Sequence, residues 1–444
     1  MQIFGCAMNY ADAERVAAVL NQAGGEEVGA AEEADLVVML TCAIKQKAED
    51  KVFSTLHNLK AAARKQKKDL KVVLTGCMVK KTSSRQTEKA DPLLHRLKEL
   101  DYTLRIEEVS QLAYLIDWAK ENNTQNFWEI CPHYHSPFQA IVPIQTGCDN
   151  FCTYCIVPFT RGREYSRPYA EIEKEVQLLA QKGVKEILLV GQNVNSYGKN
   201  WPELAKYWNP EAQKWEISES KTPFSILLTK LNAIPGIERI RFSSSNPHDM
   251  TEDIIETITS LAKIMPALHF ALQSGDNEIL KRMNRKHTYE EYREIVHKIR
   301  ARKPDFAIST DIIVGFCGET EDQFQHTCQA IRELDVDLIY ISPYSMRTGT
   351  PASKSLVDDI PAKVKNRRWH ELNNILKEIS QRKLATLIGT EQLVLIEKIV
   401  DGLAEGKTEH NRTCQFSAKE KQVGDIVKVK ITKNTIWSLT GELI

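Results

Sequence analysis

The stretch GCDNFCTYC, residues 147–155, carries three cysteines within eight residues of predicted loop. It directly follows a predicted strand at residues 141–145. Three thiolates in such a loop can each bind one iron of a four-iron cluster and leave the fourth iron without a protein ligand. A zinc site usually has a fourth ligand nearby, and none follows closely here. Cys148, Cys152 and Cys155 therefore favour an iron–sulfur cluster, with zinc or unligated thiols as the alternatives.

The composition describes a globular chain of several domains. With 444 residues, 42% of them hydrophobic and 27% charged, the chain is expected to form two to four domains. Because the 59 basic and 59 acidic residues balance, the chain has no net positive charge that would attract nucleic acid. A polyanion would therefore have to bind local basic patches. Ten cysteines behind an N-terminus without a secretory signal indicate metal binding or catalysis in a reducing compartment, and the cytoplasm is the expected location. The apolar runs are too short to span a membrane.

The order of apolar and helical segments predicts a mixed α/β fold in three parts. In residues 1–125, predicted strands at 2–4, 35–41 and 71–75 alternate with helices, which is typical of a small parallel α/β domain. Residues 121–137 are polar and read as a linker. In residues 134–383, six strand–helix units predict a partial (βα)6 barrel, with strands at 141–145, 186–190, 239–243, 268–272, 306–314 and 338–342. In residues 384–444, short β-rich runs predict a small β-barrel.

Three further cysteines occupy equivalent positions in the first domain. Cys6, Cys42 and Cys77 each come just after the carboxyl end of a predicted strand. Because those ends line one edge of a parallel sheet, the three thiols could converge there. From the residues alone, buried structural cysteines are the better interpretation, since unpaired cysteine is commonly buried.

Several motifs resemble the tRNA-modifying methylthiotransferase branch of the radical S-adenosylmethionine (SAM) enzymes. They are GCDNFCTYCIVPFTRGREYSRP (147–168), GQNVNSYG (191–198), LQSGDNEILKRMNR (272–285) and STDIIVGFCGET (309–320). The motifs GCAMN (5–9), TCAIKQKAEDKVF (41–53) and GCM (76–78) resemble the family's auxiliary-cluster domain. The resemblance implies two four-iron clusters, one on Cys148, Cys152 and Cys155 and the other on Cys6, Cys42 and Cys77. The tail from GKTEHNRTCQF (406–416) resembles the TRAM domain, a small RNA-binding β-barrel.

The resemblance also implies where SAM would bind. The cofactor is expected across the carboxyl ends of the barrel strands, with its amino and carboxylate groups on the open iron of the cluster. Two of the candidate contact residues have another interpretation: Gly315 could only permit a turn, and Glu319 could cap a helix. The candidate contact residues are Tyr154, Gln192, Asn193, Ser244, Gln273, Asp311, Gly315 and Glu319.

Two groups of basic residues are candidates for RNA contact. Arg161, Arg163 and Arg167 follow the cysteine loop, and their guanidinium groups suit phosphate. Internal salt bridges are nearly as good an interpretation for each of them. In the tail, the candidates are Lys407, Arg412 and Lys430.

The implied reaction replaces the hydrogen on carbon 2 of N6-dimethylallyladenosine 37 in tRNA with a methylthio group. One SAM yields the 5′-deoxyadenosyl radical, a second methylates sulfur carried by the auxiliary cluster, and the base must leave its stack. The expected partners are the tRNA anticodon stem-loop, an electron donor protein of flavodoxin or ferredoxin type, and iron–sulfur cluster assembly or carrier proteins. A monomer is expected.

Three alternatives stay open. Relatives modify threonylcarbamoyladenosine in tRNA or an aspartate of a ribosomal protein, and a non-catalytic zinc-containing RNA-binding protein belongs to another class. The stretches AEDKVF (48–53) and TRGREYSRP (160–168) favour the dimethylallyladenosine reaction. Ala7, Leu40 and Cys317 depart from the family's usual Gln, Asn and Pro, so the chemistry is better defined than the substrate.

Overall fold

The structure is a computed structural model, and its two compact units are described separately. It describes residues 1–41, 46–201, 208–209, 214–215 and 221–444. The first unit comprises residues 1–136, 146–149 and 155–164. The second comprises residues 137–145, 150–154 and 165–444. The chain therefore passes between the units several times around the cysteine loop.

The strands and helices alternate along most of the chain. The strands are β1 (Gln2–Phe4), β2 (Leu36–Thr41), β3 (Lys71–Gly76), β4 (Ser83–Ser84), β5 (Tyr102–Leu104), β6 (Gln139–Pro143), β7 (Gln145–Thr146), β8 (Tyr165–Ser166), β9 (Glu186–Val190), β10 (Trp208–Asn209), β11 (Lys214–Trp215), β12 (Arg239–Phe242), β13 (Ala267–His269), β14 (Ala307–Val314), β15 (Leu338–Pro343), β16 (Glu391–Val400), β17 (Leu403–Thr408), β18 (Thr413–Ser417), β19 (Ile426–Asn434) and β20 (Ser438–Leu443).

The α-helices are α1 (Ala7–Gln22), α2 (Gln46–Lys65), α3 (Pro92–Arg96), α4 (Leu112–Leu115), α5 (Val157–Thr160), α6 (Tyr169–Gln181), α7 (Pro223–Asn232), α8 (Glu252–Ser260), α9 (Asn277–Arg282), α10 (Tyr289–Arg302), α11 (Glu321–Leu334), α12 (Pro351–Ser355) and α13 (Ala362–Ala385). Within the described residues, none of them is both long and apolar enough to cross a membrane.

The first unit contains a five-stranded sheet in the order β1-β2-β3-β5-β4. The first four strands in this order are parallel, and β4 runs antiparallel to β5. Val38 and Leu40 pack into one core cluster, while Val37 and Met39 pack into another. Because both faces of the sheet are covered, strand β2 is a continuous apolar run, as parallel strands usually are. The predicted small parallel α/β domain is confirmed.

Part of the predicted linker belongs to this core. Phe127 and Ile130 are 6% and 2% exposed and pack in the same cluster as Val38. The linker prediction is wrong for these residues, because a few apolar side chains in a polar stretch are enough to bury it. Composition averages hide such anchors.

The second unit contains six parallel strands that form the predicted partial barrel. Strands β6, β9 and β12 form one sheet and strands β13, β14 and β15 another, in the orders β12-β9-β6 and β13-β14-β15. A parallel bridge between Ser245 and Phe270 connects the end of β12 to the end of β13. The six strands follow one another in chain order, and all their carboxyl ends lie at the same rim.

Strands β16 to β20 close into a five-stranded barrel in the order β16-β17-β18-β20-β19. Inward side chains such as Val394, Ile396, Val427 and Val429 form its core. The predicted C-terminal β-barrel is confirmed.

Buried arginines of the partial barrel hold this small barrel. Arg239 donates to the carbonyl oxygens of Lys407 and Leu393, at 3.0 Å each. Arg241 donates to the carbonyl oxygen of Thr408 at 2.8 Å and to Oε2 of Glu186 at 3.1 Å. Arg239 and Glu186 are the first residues of β12 and β9, so the small barrel docks at the amino-terminal ends of these strands. The carboxyl-terminal rim therefore stays at the opposite end of the partial barrel.

We predict that Arg241→Ala destabilises the second unit by about 3–5 kcal/mol, because Oε2 of the buried Glu186 loses its hydrogen bond and the carbonyl oxygens of Thr408 and Glu409 in the small barrel lose their donor. Urea unfolding followed by circular dichroism would measure the loss. The matched control is Lys398→Ala, which breaks the exposed ion pair of Lys398 with Glu405 in the same small barrel. It should change the unfolding midpoint little. Equal losses in both variants would contradict the proposed importance of this contact.

Candidate iron–sulfur and cofactor sites

The cysteine loop follows β6 and is held by a close backbone approach. Gly147 has a φ of +75°, and a Cβ there would lie 2.1 Å from the carbonyl oxygen of Arg163. Glycine is therefore required at this position. The approach lets the N–H of Cys148 donate to the carbonyl oxygen of Gly162 at 3.2 Å. Cys148 thus has a fixed backbone and is 9% exposed.

Cys152 is approached by an arginine that the sequence interpretation missed. Nη1 of Arg285 lies 3.4 Å from Sγ of Cys152. Nη2 of the same side chain donates to Oδ1 of Asn246 and to the carbonyl oxygen of Ala271, at 3.1 Å each. The N–H of Thr153 donates to the carbonyl oxygen of Met283, which holds the loop beside the end of α9. The only sequence signal for Arg285 was its place at the end of the motif LQSGDNEILKRMNR.

The loop residues fit an iron–sulfur cluster by their chemistry. Cys148 and Cys152 are buried, Cys155 is half-buried, and all three are free of disulfides. Among the residues that the structure describes, no three His, Cys, Asp or Glu side chains are arranged to share one metal ion. In a four-iron cluster each thiolate binds a different iron, so its ligands need not converge on one ion. The guanidinium beside Cys152 suits a sulfur that carries negative charge.

Two of the three N-terminal cysteines lie near each other at the sheet edge. Cys6 precedes α1, Cys77 follows β3, and Cys42 lies outside the described residues. Although Cys6 reaches the surface, the surrounding protein and then the neighbouring Cys77 raise the pKa of its thiol. The N–H of Cys77 also donates to the carbonyl oxygen of Thr41 at 3.0 Å, so both predicted ligands that the structure describes lie at the same edge of the sheet.

Asn9 ties this edge together. Its Nδ2 donates to the carbonyl oxygen of Thr41 at 3.1 Å, and its Oδ1 accepts from the N–H of Cys6 at 3.3 Å. Gly76 has a φ of +93°, and a Cβ there would lie 2.5 Å from the same Thr41 oxygen. The ends of β1, β2 and β3 are thus drawn together around one buried amide.

Arg161 lies inside the first unit. Its side chain is 2% exposed, Nη2 is 2.5 Å from Oδ2 of Asp12, and Nε is 3.2 Å from Sγ of Cys77. Burial opposes the charge, but Asp12 and Cys77 hold the pKa of Arg161 well above its ordinary value. The guanidinium is therefore engaged inside the protein.

The other two arginines of the motif differ in exposure. Arg163 is exposed, and its Nε lies 2.7 Å from Oδ1 of Asp149. Arg167 is buried and donates to the carbonyl oxygen of Pro143 at 2.8 Å and to Glu175 at 2.7 Å. Of the three, Arg163 is the one placed at the surface, where RNA could compete with its salt bridge.

Of the predicted RNA contacts in the tail, Arg412 uses its side chain and Lys407 its backbone in docking. The backbone of Lys407 accepts from Arg239, and its Nζ donates to Thr413. Nη2 of Arg412 lies 2.7 Å from Oδ1 of Asp337. Lys430 is exposed on β19. The sequence could not reveal that the Arg412 side chain pairs with the partial barrel of its own unit.

Buried polar atoms without partners gather after the first three barrel strands. Both amide atoms of Gln145 lack a hydrogen-bond partner, as do Oε1 of Gln192, Oδ1 of Asn193, Oδ1 of Asn195 and Oγ of Ser245. All of these residues except Gln192 are at most 1% exposed. A buried polar group without a partner costs about 1–3 kcal/mol, so this set is suited to a polar ligand. Gln192 and Asn193 were predicted, whereas Gln145, Asn195 and Ser245 were missed although each lies near a strand end.

The side chain of Asn193 is oriented by a hydrogen bond to Asp249. Its Nδ2 donates to Oδ2 of Asp249 at 2.5 Å, which leaves its Oδ1 pointing away from that partner. Ser244 has a φ of +71°, and its carbonyl oxygen accepts from the N–H of Val194. The predicted Asn193 and Ser244 are thus placed on adjacent loops.

Gln273 and Asp311 connect strand ends on the other half of the rim. Gln273 has a φ of +76°, and its N–H donates to the carbonyl oxygen of Asp311 at 2.8 Å. Oδ2 of Asp311 lies 2.9 Å from Nε2 of His269. The backbone of Gln273 and the carboxylate of Asp311 are therefore used within the protein.

Gly315 and Glu319 form an internal contact. Gly315 has a φ of +72°, and a Cβ there would lie 2.3 Å from Cγ of Lys365, so glycine is required at this position. Oε2 of Glu319 accepts from the N–H of Gly315 at 2.6 Å and from Nη1 of Arg368 at 2.8 Å. Glu319 is not the cap of α11, because the hydroxyl of Thr320 fills that position.

Tyr154 packs edge-on against Phe316, with ring centroids 6.4 Å apart. Phe316 belongs to a small apolar cluster with Ile279, Met283 and Tyr344, against which Tyr154 is packed. The ring of Tyr154 thus lies on an apolar surface within the second unit.

Most of the chain is similar to known protein families. Residues 1–95 match the uncharacterized protein family UPF0004, residues 142–331 the radical SAM superfamily, and residues 385–444 the TRAM domain. A tRNA-2-methylthio-N(6)-dimethylallyladenosine synthase from Dictyoglomus thermophilum is 36% identical over 99% of this chain and 97% of the relative. One from Clostridium botulinum (strain Hall) is 37% identical over 100% of this chain and 96% of the relative. The chain belongs to this synthase family.

Solved structures show only remote likeness. The radical S-adenosylmethionine methyltransferase TsrM from Kitasatospora setae has a TM-score of 0.47 and 13% identity, covering 88% of this chain and 70% of that chain.

Two glutamates that flank the Thr320 N-cap of α11 are expected to respond to pH in opposite directions. Burial raises the pKa of Glu319 to about 7, whereas hydrogen bonds from Arg367 and other partners lower the pKa of the more exposed Glu321 to about 2. A carboxyl whose pKa is raised on folding stabilises the protein at low pH. That contribution is lost as pH rises from about 4.5 towards 7.

We predict that Glu319→Gln flattens the fall of the urea-unfolding midpoint between pH 5 and 7. The control, Glu321→Gln, should keep the wild-type slope in this window, because Glu321 titrates below about pH 4.5. A Glu319→Gln profile parallel to that of the wild type would contradict the assignment.

Proposed function

We propose that this chain methylthiolates carbon 2 of N6-dimethylallyladenosine 37 in tRNA. The observation that carries the proposal is the identity of 36–37% over nearly the whole length of relatives with this activity in their names. The buried cysteine loop and the unpartnered polar rim support it independently. In this proposal residues 1–125 hold the auxiliary cluster, residues 134–383 the radical centre, and residues 384–444 contact RNA.

Six cysteines would hold the two clusters. Cys148, Cys152 and Cys155 are proposed for the radical centre, and Cys6, Cys42 and Cys77 for the auxiliary cluster. The bound groups supply one-electron reduction of SAM and the sulfur that is transferred. The protein supplies buried thiols, the Arg285 contact to Cys152 and the Arg161 contact to Cys77.

The polar rim would bind SAM. Gln145, Asn193, Asn195 and Ser245 offer amide and hydroxyl groups that lack partners, which suits the amino, carboxylate and ribose groups of the cofactor. Gly191 makes room for Gln145, because a Cβ there would lie 2.4 Å from its Cγ. Gln192, Ser244, Gln273 and Asp311 stay proposed contacts through their positions on the same rim, and Tyr154, Gly315 and Glu319 through the loops that support it.

RNA would be met by surface charge rather than by the whole arginine motif. Arg163 and Lys430 are exposed and suited to phosphate. The guanidinium groups of Arg161, Arg167 and Arg412 have internal partners that suit structural roles, whereas the ammonium of Lys407 stays a proposed RNA contact. The target adenosine must leave its stack to reach a buried centre.

The proposal also implies partners and a location. The substrate element is the anticodon stem-loop, and electrons come from a donor protein of flavodoxin or ferredoxin type. Iron–sulfur cluster assembly or carrier proteins load the two sites. The enzyme is proposed to act in the cytoplasm as a monomer.

Nucleoside mass spectrometry tests the reaction. tRNA from cells without this protein should lack 2-methylthio-N6-dimethylallyladenosine and accumulate its precursor, N6-dimethylallyladenosine. Wild-type chain should restore the product, whereas chain with Cys148, Cys152 and Cys155 replaced by Ala should not, since it also should form no 5′-deoxyadenosine.

Other outcomes would contradict the proposal. Loss of a threonylcarbamoyladenosine derivative instead would change the substrate, and loss of a modified ribosomal-protein aspartate would change its class. Purified protein with stoichiometric zinc, in place of about eight irons after reconstitution, would favour the non-catalytic alternative.

Gln145→Met tests the polar rim. Methionine has a similar length but no polar atoms that need partners, so the SAM-free protein should gain about 1–3 kcal/mol of stability. The affinity for SAM, measured by equilibrium dialysis, should fall by about tenfold because one hydrogen-bonding group is lost.

The matched control is Gln139→Met at the other end of β6. The Gln139 amide donates to Glu186 at 3.0 Å and to Glu397 at 3.3 Å, so this variant should lose stability and keep its SAM affinity. A Gln145→Met protein that is less stable and binds SAM normally would argue against a cofactor role for the rim.

A further inference from the structure

The Arg161 guanidinium joins three parts of the first unit. Arg161 follows α5, Asp12 lies on α1 and Cys77 follows β3. The contacts are 2.5 Å to Oδ2 of Asp12 and 3.2 Å to Sγ of Cys77. One side chain thus fixes a segment that begins at Cys155 against a cysteine far away in sequence.

Both charged groups of this contact are buried, so each needs the other as a partner. The side chains of Arg161 and Asp12 are 2% and 0% exposed. Removing either partner of a buried ion pair leaves an uncompensated charge, so such pairs persist where geometry is well satisfied. Oδ1 of Asp12 has no hydrogen-bond partner, so Arg161 is its principal neutralising neighbour among the described contacts. The pair is therefore held in one arrangement.

The position of the charges has an electrostatic consequence at Cys77. A donor N–H on a cluster sulfur and a nearby cation favour the more negative, reduced form of a cluster. Asp12 acts in the opposite sense, because it is an anion in the same buried pair. The two side chains therefore oppose each other at one cysteine.

We propose that Arg161 is a positioning residue for the auxiliary cluster. It raises the reduction potential of the cluster that Cys77 binds, and it holds the segment after Cys155 next to Cys77. This inference rests on the proposed function, because it takes Cys77 as a cluster ligand. It assigns the first arginine of the RGRE motif to the cluster site instead of to RNA.

The test uses full-length chain in which Cys148, Cys152 and Cys155 are Ala, so that only the N-terminal cluster can form. The midpoint potential is measured by redox titration with electron paramagnetic resonance. Arg161→Gln should lower the equilibrium constant for one-electron reduction by about tenfold, equivalent to ~59 mV. Asp12→Asn should shift the potential in the opposite direction, and Arg161→Lys should lie between the wild type and Arg161→Gln.

The control is Arg163→Gln, two residues away on the exposed face, which should leave the potential unchanged. A second readout is hydrogen exchange of the backbone amides in α5, which should be faster in Arg161→Gln because this variant releases the segment after Cys155 from Asp12 and Cys77.

Three results would overturn the proposal: equal potentials for Arg161→Gln and Arg163→Gln, shifts of the same sign for Arg161→Gln and Asp12→Asn, or unchanged hydrogen exchange of α5. If Arg161→Gln does not fold, the sign of the Asp12→Asn shift decides. A triple-alanine chain that binds no iron at all would refute the auxiliary site itself. Nucleoside analysis of the wild type tests the proposed function separately.

Discussion

The carboxyl ends of parallel strands lie at one edge of their sheet, and both candidate sites depend on this constraint. In the first unit it brings Cys6 near Cys77, with the Asn9 amide holding the ends of β1, β2 and β3. In the second unit the same geometry gathers Gln145, Asn193 and Ser245 from three strands. Neither group is close in sequence. The backbone direction, more than any local motif, makes each group a site.

Buried arginines that connect parts of the fold have hydrogen-bond partners, whereas several buried amides at the carboxyl-terminal rim of the partial barrel do not. Where arginines connect parts of the fold, as at Arg241 and Arg161, every one of the contacts described is to a carboxylate, a carbonyl oxygen or a thiol. At the rim, in contrast, amide atoms are left without partners. Stability alone would not favour such atoms, since each costs free energy until something binds it. The rim is thus destabilised in a way that a polar ligand can reverse.

Several of the basic residues proposed to contact RNA are buried or paired inside the protein. A motif with three arginines suggests a phosphate-binding surface, yet Arg161 and Arg167 are buried among internal partners. In the small barrel, Arg412 is paired with Asp337 across a docking surface at the amino-terminal ends of the strands. Charge counted along a sequence overestimates the charge that a polyanion can meet, because buried ion pairs remove it from the surface.

The sequence by itself determined the order of strands and helices, the three architectures and the cysteine loop, because apolar periodicity and short-range cysteine spacing are local properties. It also placed Gln192 and Asn193 at the rim, since residues after parallel strands converge by rule. Only the tertiary structure decided that Phe127 and Ile130 anchor a polar stretch, and that Arg285 reaches Cys152. Likewise, only the fold revealed that Arg161 joins Asp12 to Cys77. These outcomes depend on which distant side chains share a buried volume, and no local pattern encodes that.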